Sequence, residues 1–138
     1  MLIKTNGINH VAISVPSIKE TVKWYSDMFG FTVIKYSEIP DTGIKACHMQ
    51  GPGFQLEIFE CENAETLPEH RLFPHTDFGV HGHKHFCMGV NDGLAAKKKL
   101  EDAGIEIVLI GTVDDTYAIF IRDNSGILIE LFEEKSNE

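Results

Sequence analysis

The sequence has few cysteines, few basic residues and no long apolar segment. Its three cysteines, Cys47, Cys61 and Cys87, form no Cys-x-x-Cys pair, which argues against a disulfide framework and a zinc knuckle. Only 12 Lys and Arg stand against 21 Asp and Glu, so the formal net charge is −9. Nucleic acids and anionic membranes bind through basic side chains, and neither is expected as a partner. With no membrane-spanning run and no signal-peptide core, the sequence predicts a soluble, cytoplasmic protein.

The chain contains an internal repeat within what its 138 residues predict to be a single domain, 1–138. Residues 8–15 and 83–90 both alternate with a period of two, which predicts half-buried strands. Each strand then has one bulky apolar face and one small or polar face. The polar face is led by His10 in the first strand and by His85 in the second.

A helix signal follows each of these strands. Ser17 and Glu20 form a capping box at the start of the first helix, and Gly30 marks its predicted end. The second helix begins at Asn91 or Asp92 and stops at Gly104 in the same way.

Three further strands are predicted after each helix. Both halves therefore read strand, helix, strand, strand, strand, which predicts an α+β fold of two βαβββ modules, at about residues 7–60 and 83–134. A polar connecting arm, about residues 61–82, joins them. The predicted strands are Phe31–Glu38, Ile44–Gln50 and Phe54–Glu60 in the first half, and Ile105–Val113, Thr116–Arg122 and Ile127–Glu133 in the second.

Two carboxylates interrupt the apolar strands that end the two modules. Glu57 and Glu130 each lie between bulky apolar neighbours, so each must point to the face on which His10 and His85 also lie. The spacing nearly repeats, since His10 precedes Glu57 by 47 positions and His85 precedes Glu130 by 45. One such His or Glu alone is usually structural or solvated. Four at matched positions predict a divalent metal site, for Zn, Ni, Co, Mn or Fe.

Three further residues of the first module are candidates for binding a small-molecule substrate. If residues 50–53 turn the hairpin, His48 pairs near Gln55 and lies on the face of Glu57. His48 is then a substrate contact or a proton shuttle, and a hydrogen-bonded structural histidine is the alternative. Ser14, on the face of His10, and Gln55 complete the candidate set.

The doubled module resembles the vicinal oxygen chelate superfamily, which includes glyoxalase I, methylmalonyl-CoA epimerase, extradiol dioxygenases and bleomycin-resistance proteins. The resemblance extends from about Ile8 to Glu133. It implies a curved, partly open eight-stranded sheet around a cup-shaped site, and a homodimer. The segments that carry it are 8–13, 24–31, 85–90, 121–126 and 129–133.

By this resemblance His10, Glu57, His85 and Glu130 fall on the four metal positions of the family. A set of two His and two Glu is similar to glyoxalase I and its isomerase relatives. Glyoxalase I normally has an Arg four residues after the first ligand and commonly an Asn four residues after the second, where this chain has Ser14 and Cys61. The resemblance therefore implies the metal ligands of glyoxalase I without its usual glutathione contacts.

The function expected from these features is that of a metal-dependent isomerase, epimerase or lyase of the glyoxalase I-like type. A small substrate would chelate the ion through two vicinal oxygens, and Glu57 or Glu130 would move the proton through an enediolate. One alternative is an Fe(II) extradiol-type dioxygenase that uses His10, His85 and Glu130 as a facial triad. The other is a non-catalytic ligand-binding protein like the bleomycin-resistance proteins.

Overall fold

A computed structural model describes residues 1–135, which form two compact units that divide between Glu65 and Thr66. Each unit contains the order strand, helix, strand, strand, strand, so the predicted α+β class and the two βαβββ modules are confirmed. The eight strands lie in two four-stranded sheets of the same topology.

The first unit places one helix between its first two strands. Its sheet has the order β1-β4-β3-β2, in which β1 is parallel to β4 and the other pairs are antiparallel. β1 and β2 run in the same direction at opposite edges of this sheet, so the chain crosses from one to the other through α1. The elements are β1 (His10–Ser14), α1 (Ile18–Phe29), β2 (Thr32–Glu38), β3 (Lys45–Gln50) and β4 (Gln55–Glu60).

The first helix has the caps that the sequence predicts. The Ser17 hydroxyl accepts the backbone N–H of Glu20, and Gly30 ends the helix in the left-handed region at φ 70°. The apolar side of α1 packs on β3 and β4, with Tyr25 fully buried. Because the helix covers one face of the sheet, the candidate site residues lie on the opposite face.

The second unit repeats this arrangement after two short helical segments. Its sheet has the order β5-β8-β7-β6, again with one parallel pair, β5 with β8. The elements are a 3-10 helix (Glu69–Leu72), α2 (Pro74–Asp77), β5 (Phe86–Val90), α3 (Gly93–Asp102), β6 (Ile107–Val113), β7 (Thr116–Arg122) and β8 (Leu128–Glu133).

Most differences from the predicted boundaries are one or two residues at strand starts. The strand predicted from Phe31 begins at Thr32, and the one predicted from Ile105 begins at Ile107. Phe31 is buried, and its apolar character extends the alternation beyond the hydrogen-bonded strand. The Asp92 side chain accepts the backbone N–H of Ala95 and caps α3, as predicted.

The segment predicted as a connecting arm is held by a buried carboxylate. Asp77, at the end of α2, is 1% exposed and contacts both Lys84 Nζ at 3.3 Å and Arg71 Nε at 3.5 Å. Arg71 also donates hydrogen bonds to the backbone oxygens of His83 and Lys84. These contacts anchor the residues that lead into β5. Among the described residues, no helix is long and apolar enough to cross a membrane.

Candidate functional site

The register of the first sheet brings His10 and Glu57 to one face. Leu56 and Ile58 are fully buried on the helix side, so Glu57 between them must point the other way. β1 pairs with β4 so that Ala12 lies opposite Glu57, and His10 is two residues earlier on the same face. The His10 Nε2 atom lies 3.3 Å from Glu57 Oε2.

A second histidine contacts the other oxygen of the same carboxylate. His48 lies opposite Glu57 in the antiparallel pair of β3 and β4, and its Nε2 atom is 3.3 Å from Glu57 Oε1. Glu57 therefore lies between two imidazoles, one at each oxygen. The His48 side chain is 17% exposed, and its Nδ1 atom is buried and has no hydrogen-bond partner among residues 1–135.

The position of His48 corrects one prediction. It lies on the Glu57 face, as expected, but it pairs with Glu57 and not near Gln55. The hairpin turns at residues 51–54, where the Gly51 N–H bonds to the Phe54 oxygen and Gly53 has φ 78°. The turn is therefore one residue later than predicted, which moves the pairing partner of His48 by two positions.

The tautomer of His10 is set by its neighbour in the chain. His10 Nδ1 and Asn9 Oδ1 are 2.8 Å apart. An amide oxygen can only accept, so the proton of this hydrogen bond is on Nδ1. In the neutral ring the lone pair of Nε2 then faces the Glu57 carboxylate, an arrangement that a cation between the two atoms would stabilise.

The other two candidates of the first module lie at the ends of the same strands. Gln55 pairs with His10 at the start of β4, and Ser14 pairs with Phe59 at the end of β1. By the alternation of the strands both share the face of His10 and Glu57. Ser14 is solvent-exposed.

The second sheet repeats the His/Glu pair. Glu130 lies opposite Cys87 in the parallel pair of β5 and β8, and His85 immediately precedes β5. The His85 Nε2 atom is 2.9 Å from Glu130 Oε2, and the two side chains are 19% and 17% exposed. His85 and Glu130 thus match His10 and Glu57 in position and spacing. They differ in that His85 Nε2 is hydrogen-bonded to the carboxylate and its Nδ1 atom is buried without a partner among residues 1–135, whereas His10 Nδ1 contacts Asn9.

The surroundings of the two glutamates differ. Where the first sheet has His48 opposite its glutamate, the second has Phe120, whose ring lies edge to face with His85 at 4.9 Å between centroids. Where the first sheet has Ala12, the second has Cys87. Cys87 is solvent-exposed, but partial desolvation of its thiol, and then the charge and hydrogen bonding of Glu130, raise its pKa to about 11.

Each His/Glu pair is suited to bind a divalent ion as two of its ligands. Imidazole nitrogen and carboxylate oxygen are common donors to Zn, Ni, Co, Mn and Fe. Two ligand atoms at right angles, each ~2.1 Å from an ion, are ~3.0 Å apart, close to the observed 3.3 and 2.9 Å. Within the described part of the chain, no group of three or more His, Cys, Asp or Glu side chains is arranged to hold an ion by itself. Each unit, taken by itself, therefore presents one pair of possible donors.

Two glutamates near the candidate ligands were missed by sequence reasoning. Glu60 Oε2 accepts the backbone N–H of Ile18 at 2.8 Å, and Glu133 accepts those of Gly93 and Tyr117 at 3.1 and 3.0 Å. Both lie on the helix side of their sheets, three residues after Glu57 and Glu130. The repeated Glu-x-Phe-Glu at 57–60 and 130–133 was the available signal.

An open pocket in the first unit lies away from these residues. It has a volume of about 600 Å³ and lies between α1 and strands β2–β4, on the helix side of the sheet. Its lining includes Lys19, Lys23, Tyr36, Lys45 and Glu60. None of the predicted ligands lines it.

Similar sequences include epimerases. The chain is 27% identical over 130 residues to ethylmalonyl-CoA/methylmalonyl-CoA epimerase of Cereibacter sphaeroides, covering 90% of this chain and 95% of that protein. It is 23% identical to the mitochondrial methylmalonyl-CoA epimerase of Homo sapiens, covering 90% of this chain and 72% of that protein.

Solved structures with the same fold include glyoxalases. A glyoxalase family protein from Enterococcus faecalis superposes with a TM-score of 0.75 at 24% identity, covering 93% of this chain and 98% of that one. Glyoxalase I of Leishmania major gives 0.71 at 18% identity, covering 94% and 88%. A model of one family matches residues 7–131. The chain belongs to the Glyoxalase/Bleomycin resistance protein/Dioxygenase superfamily.

Proposed function

We propose that this protein is a metal-dependent isomerase or epimerase of the glyoxalase I-like type. The observation that supports this most directly is the repetition of one donor pair, imidazole Nε2 beside carboxylate Oε2, at matching positions of the two modules. The epimerase names of its relatives support the reaction class. A non-catalytic binding protein has no need of two such pairs.

The proposed ligands of the ion are His10, Glu57, His85 and Glu130. The two pairs come from one chain or from two chains of a homodimer. A divalent ion bound by these four groups would attract two neighbouring oxygens of a substrate and stabilise the negative charge that develops when an adjacent carbon loses its proton.

The two glutamates are the proposed acid–base groups. One carboxylate takes the proton from the carbon next to the substrate carbonyl, and the electron pair of the C–H bond moves towards the carbonyl oxygen. Return of a proton to the same carbon from the opposite side inverts its configuration, and return to the neighbouring carbon gives an isomer. The reaction consumes no other reagent, because the proton that leaves is replaced.

The proposed substrate is a small acyl compound whose two oxygens can chelate one ion, either vicinal or on the two sides of the acidic carbon. The first to test is methylmalonyl-CoA, whose thioester carbonyl and carboxylate flank the C–H carbon. This choice rests on the names of the relatives. Glutathione adducts are less well supported, since Ser14 and Cys61 stand where the resemblance to glyoxalase I leads us to expect Arg and Asn.

The test is exchange of the substrate proton with solvent deuterium, followed by NMR. The protein is loaded with Zn, Ni, Co, Mn or Fe(II), and the methylmalonyl-CoA C–H signal is measured in D₂O. We expect exchange that depends on the ion and falls at least ~100-fold in Glu57→Gln or Glu130→Gln, with His75→Gln, an exposed arm residue, unchanged.

Two results would contradict the proposal. The first is a protein that binds no stoichiometric divalent ion. The second is oxygen consumption with Fe(II) and a catechol, without proton exchange on acyl-CoA or hemithioacetal substrates. That result would support the extradiol-type dioxygenase instead.

A further inference from the structure

We infer that His48 is a positioning residue that fixes Glu57 as a ligand through one oxygen. The inference rests on the proposed function, because it concerns how Glu57 is presented to the ion. It assigns to His48 a role different from substrate binding. The observation behind this inference is that the Glu57 carboxylate lies between two imidazoles, with His10 beside Oε2 and His48 beside Oε1.

The geometry separates His48 from the ligands. His10 and His48 approach different oxygens of Glu57, and their ring centroids are 6.3 Å apart in an edge-on arrangement. Among the described residues, no group of three His, Cys, Asp or Glu side chains is placed to hold an ion. His10 has a counterpart in the second module, His85, whereas Phe120 occupies the position that matches His48. The repeat therefore assigns the ligand role to His10 and makes His48 the neighbour of a ligand, in contact with the other oxygen of Glu57.

Burial selects the protonated atom of His48. Its Nδ1 atom is buried and contacts no hydrogen-bond partner within residues 1–135. A buried N–H without an acceptor is costly, whereas a bare lone pair is tolerated better. The neutral ring with the proton on Nε2 avoids this cost, and it turns the N–H towards Glu57 Oε1, which lies 3.3 Å from Nε2.

The consequence for Glu57 is a defined orientation. A carboxylate can bind an ion through one oxygen or both, and can rotate between the two. An N–H donated to Oε1 occupies that oxygen and leaves Oε2, beside His10 Nε2, for the ion. Hydrogen bonds of this kind to metal ligands typically change metal affinity 10–100-fold when they are removed.

The second module provides the internal comparison. Opposite Glu130, at the position equivalent to His48, the chain has Phe120, whose side chain has no hydrogen-bond donor. The two glutamates of the repeat are therefore held differently, and only Glu57 has an imidazole at each oxygen among the described residues.

The test compares side chains of similar size that differ in the donor. In His48→Gln an amide N–H replaces the ring N–H, while His48→Met has similar length and no donor. His48→Phe places in the first module the residue of the second. Binding of Co(II) alone is measured by calorimetry, and the visible absorption of the bound ion reports the ligand arrangement. His75→Gln is the control, and thermal unfolding shows that each variant is folded.

We expect the Met and Phe variants to bind Co(II) about 10–100-fold more weakly, with an altered spectrum, and the Gln variant to remain within about threefold of the wild type. Equal affinity and spectrum in the Gln and Met variants would overturn the inference, even if the Phe variant fails to fold. Absence of Co(II) binding by the wild type would overturn the proposed function and this inference together. Binding by the wild type that His48→Met leaves unchanged would overturn this inference alone.

Discussion

The carboxylate of Glu60, at the end of β4, accepts the backbone N–H of Ile18, the first residue of α1, at 2.8 Å. The first N–H groups of a helix have no partner within the helix, so a side chain from the sheet that accepts one of them ties the two elements together. Glu133 makes the same connection to Gly93, the first residue of α3. The repeat thus preserves the sheet-to-helix contact as well as the candidate ligands.

Glu60→Ala is expected to lower the free energy of unfolding by about 1 kcal/mol, because one buried N–H loses its acceptor. Glu133→Ala should cost more, roughly 2 kcal/mol, since Glu133 also accepts the backbone N–H of Tyr117. Urea denaturation of each variant measures the difference, with the exposed Glu62→Ala as the control. If all three variants unfold at the same urea concentration, the carboxylates do not support the helices.

Asp77→Asn is expected to destabilise the second unit by about 2 kcal/mol. The substitution leaves Lys84 and Arg71 without their carboxylate and places an amide in a buried position. The loss should stay below the roughly 3–5 kcal/mol of a fully buried pair, because the Arg71 side chain is 37% exposed.

The control for Asp77 is Asp27→Asn, which breaks an exposed pair with Lys23 on α1. Such pairs contribute less than about 0.5 kcal/mol. Thermal unfolding in matched buffer compares the two variants. If the Asp77→Asn and Asp27→Asn variants had the same midpoint of thermal unfolding, the interpretation of Asp77 as an anchor would be wrong.

Gly93→Ala is expected to destabilise the protein by about 1–3 kcal/mol, whereas Gly89→Ala should be tolerated. A Cβ at Gly93 would come within 2.8 Å of Tyr117 Cδ2 and closer still to Tyr117 Cβ, which is fixed to the backbone of β7. A Cβ at Gly89 would meet the far end of the Glu134 side chain, which is exposed and can rotate away. Equilibrium unfolding of the two variants provides the comparison, and equal losses would contradict it.

The sequence alone predicts the modules and the four candidate ligands because both depend on local periodicity. Alternation in a strand determines the face of each side chain, so Leu56 and Ile58 on the buried side assign Glu57 to the other. Two copies of the pattern then distinguish it from a single polar residue in a strand. The structure places each glutamate beside the histidine of its own module.

The features that the sequence does not predict depend on contacts that are not local. The position of His48 opposite Glu57 required the turn at Gly53 to be located within one residue, and the periodicity of β3 does not specify it. The acceptor roles of Glu60 and Glu133 depend on where each helix begins relative to its sheet. The burial of Asp77 depends on the fold of a polar segment that lacks periodicity altogether.

Cys87 is expected to react slowly with iodoacetamide at pH 8, and faster in Glu130→Gln. Partial desolvation first, and the Glu130 charge second, raise the pKa of the thiol to about 11. Only about a thousandth of the thiol is then ionised at pH 8, and the rate should rise about tenfold for each pH unit until the pH approaches 11.

In Glu130→Gln the negative charge that opposes ionisation of the Cys87 thiol is removed, so the pKa should fall and the rate at pH 8 should increase, by roughly 3–10-fold. Mass spectrometry follows Cys87 against Cys61, which is also solvent-exposed, as an internal reference. A Cys87 rate that is the same in Glu130→Gln and the wild type would show that the carboxylate does not act on the thiol.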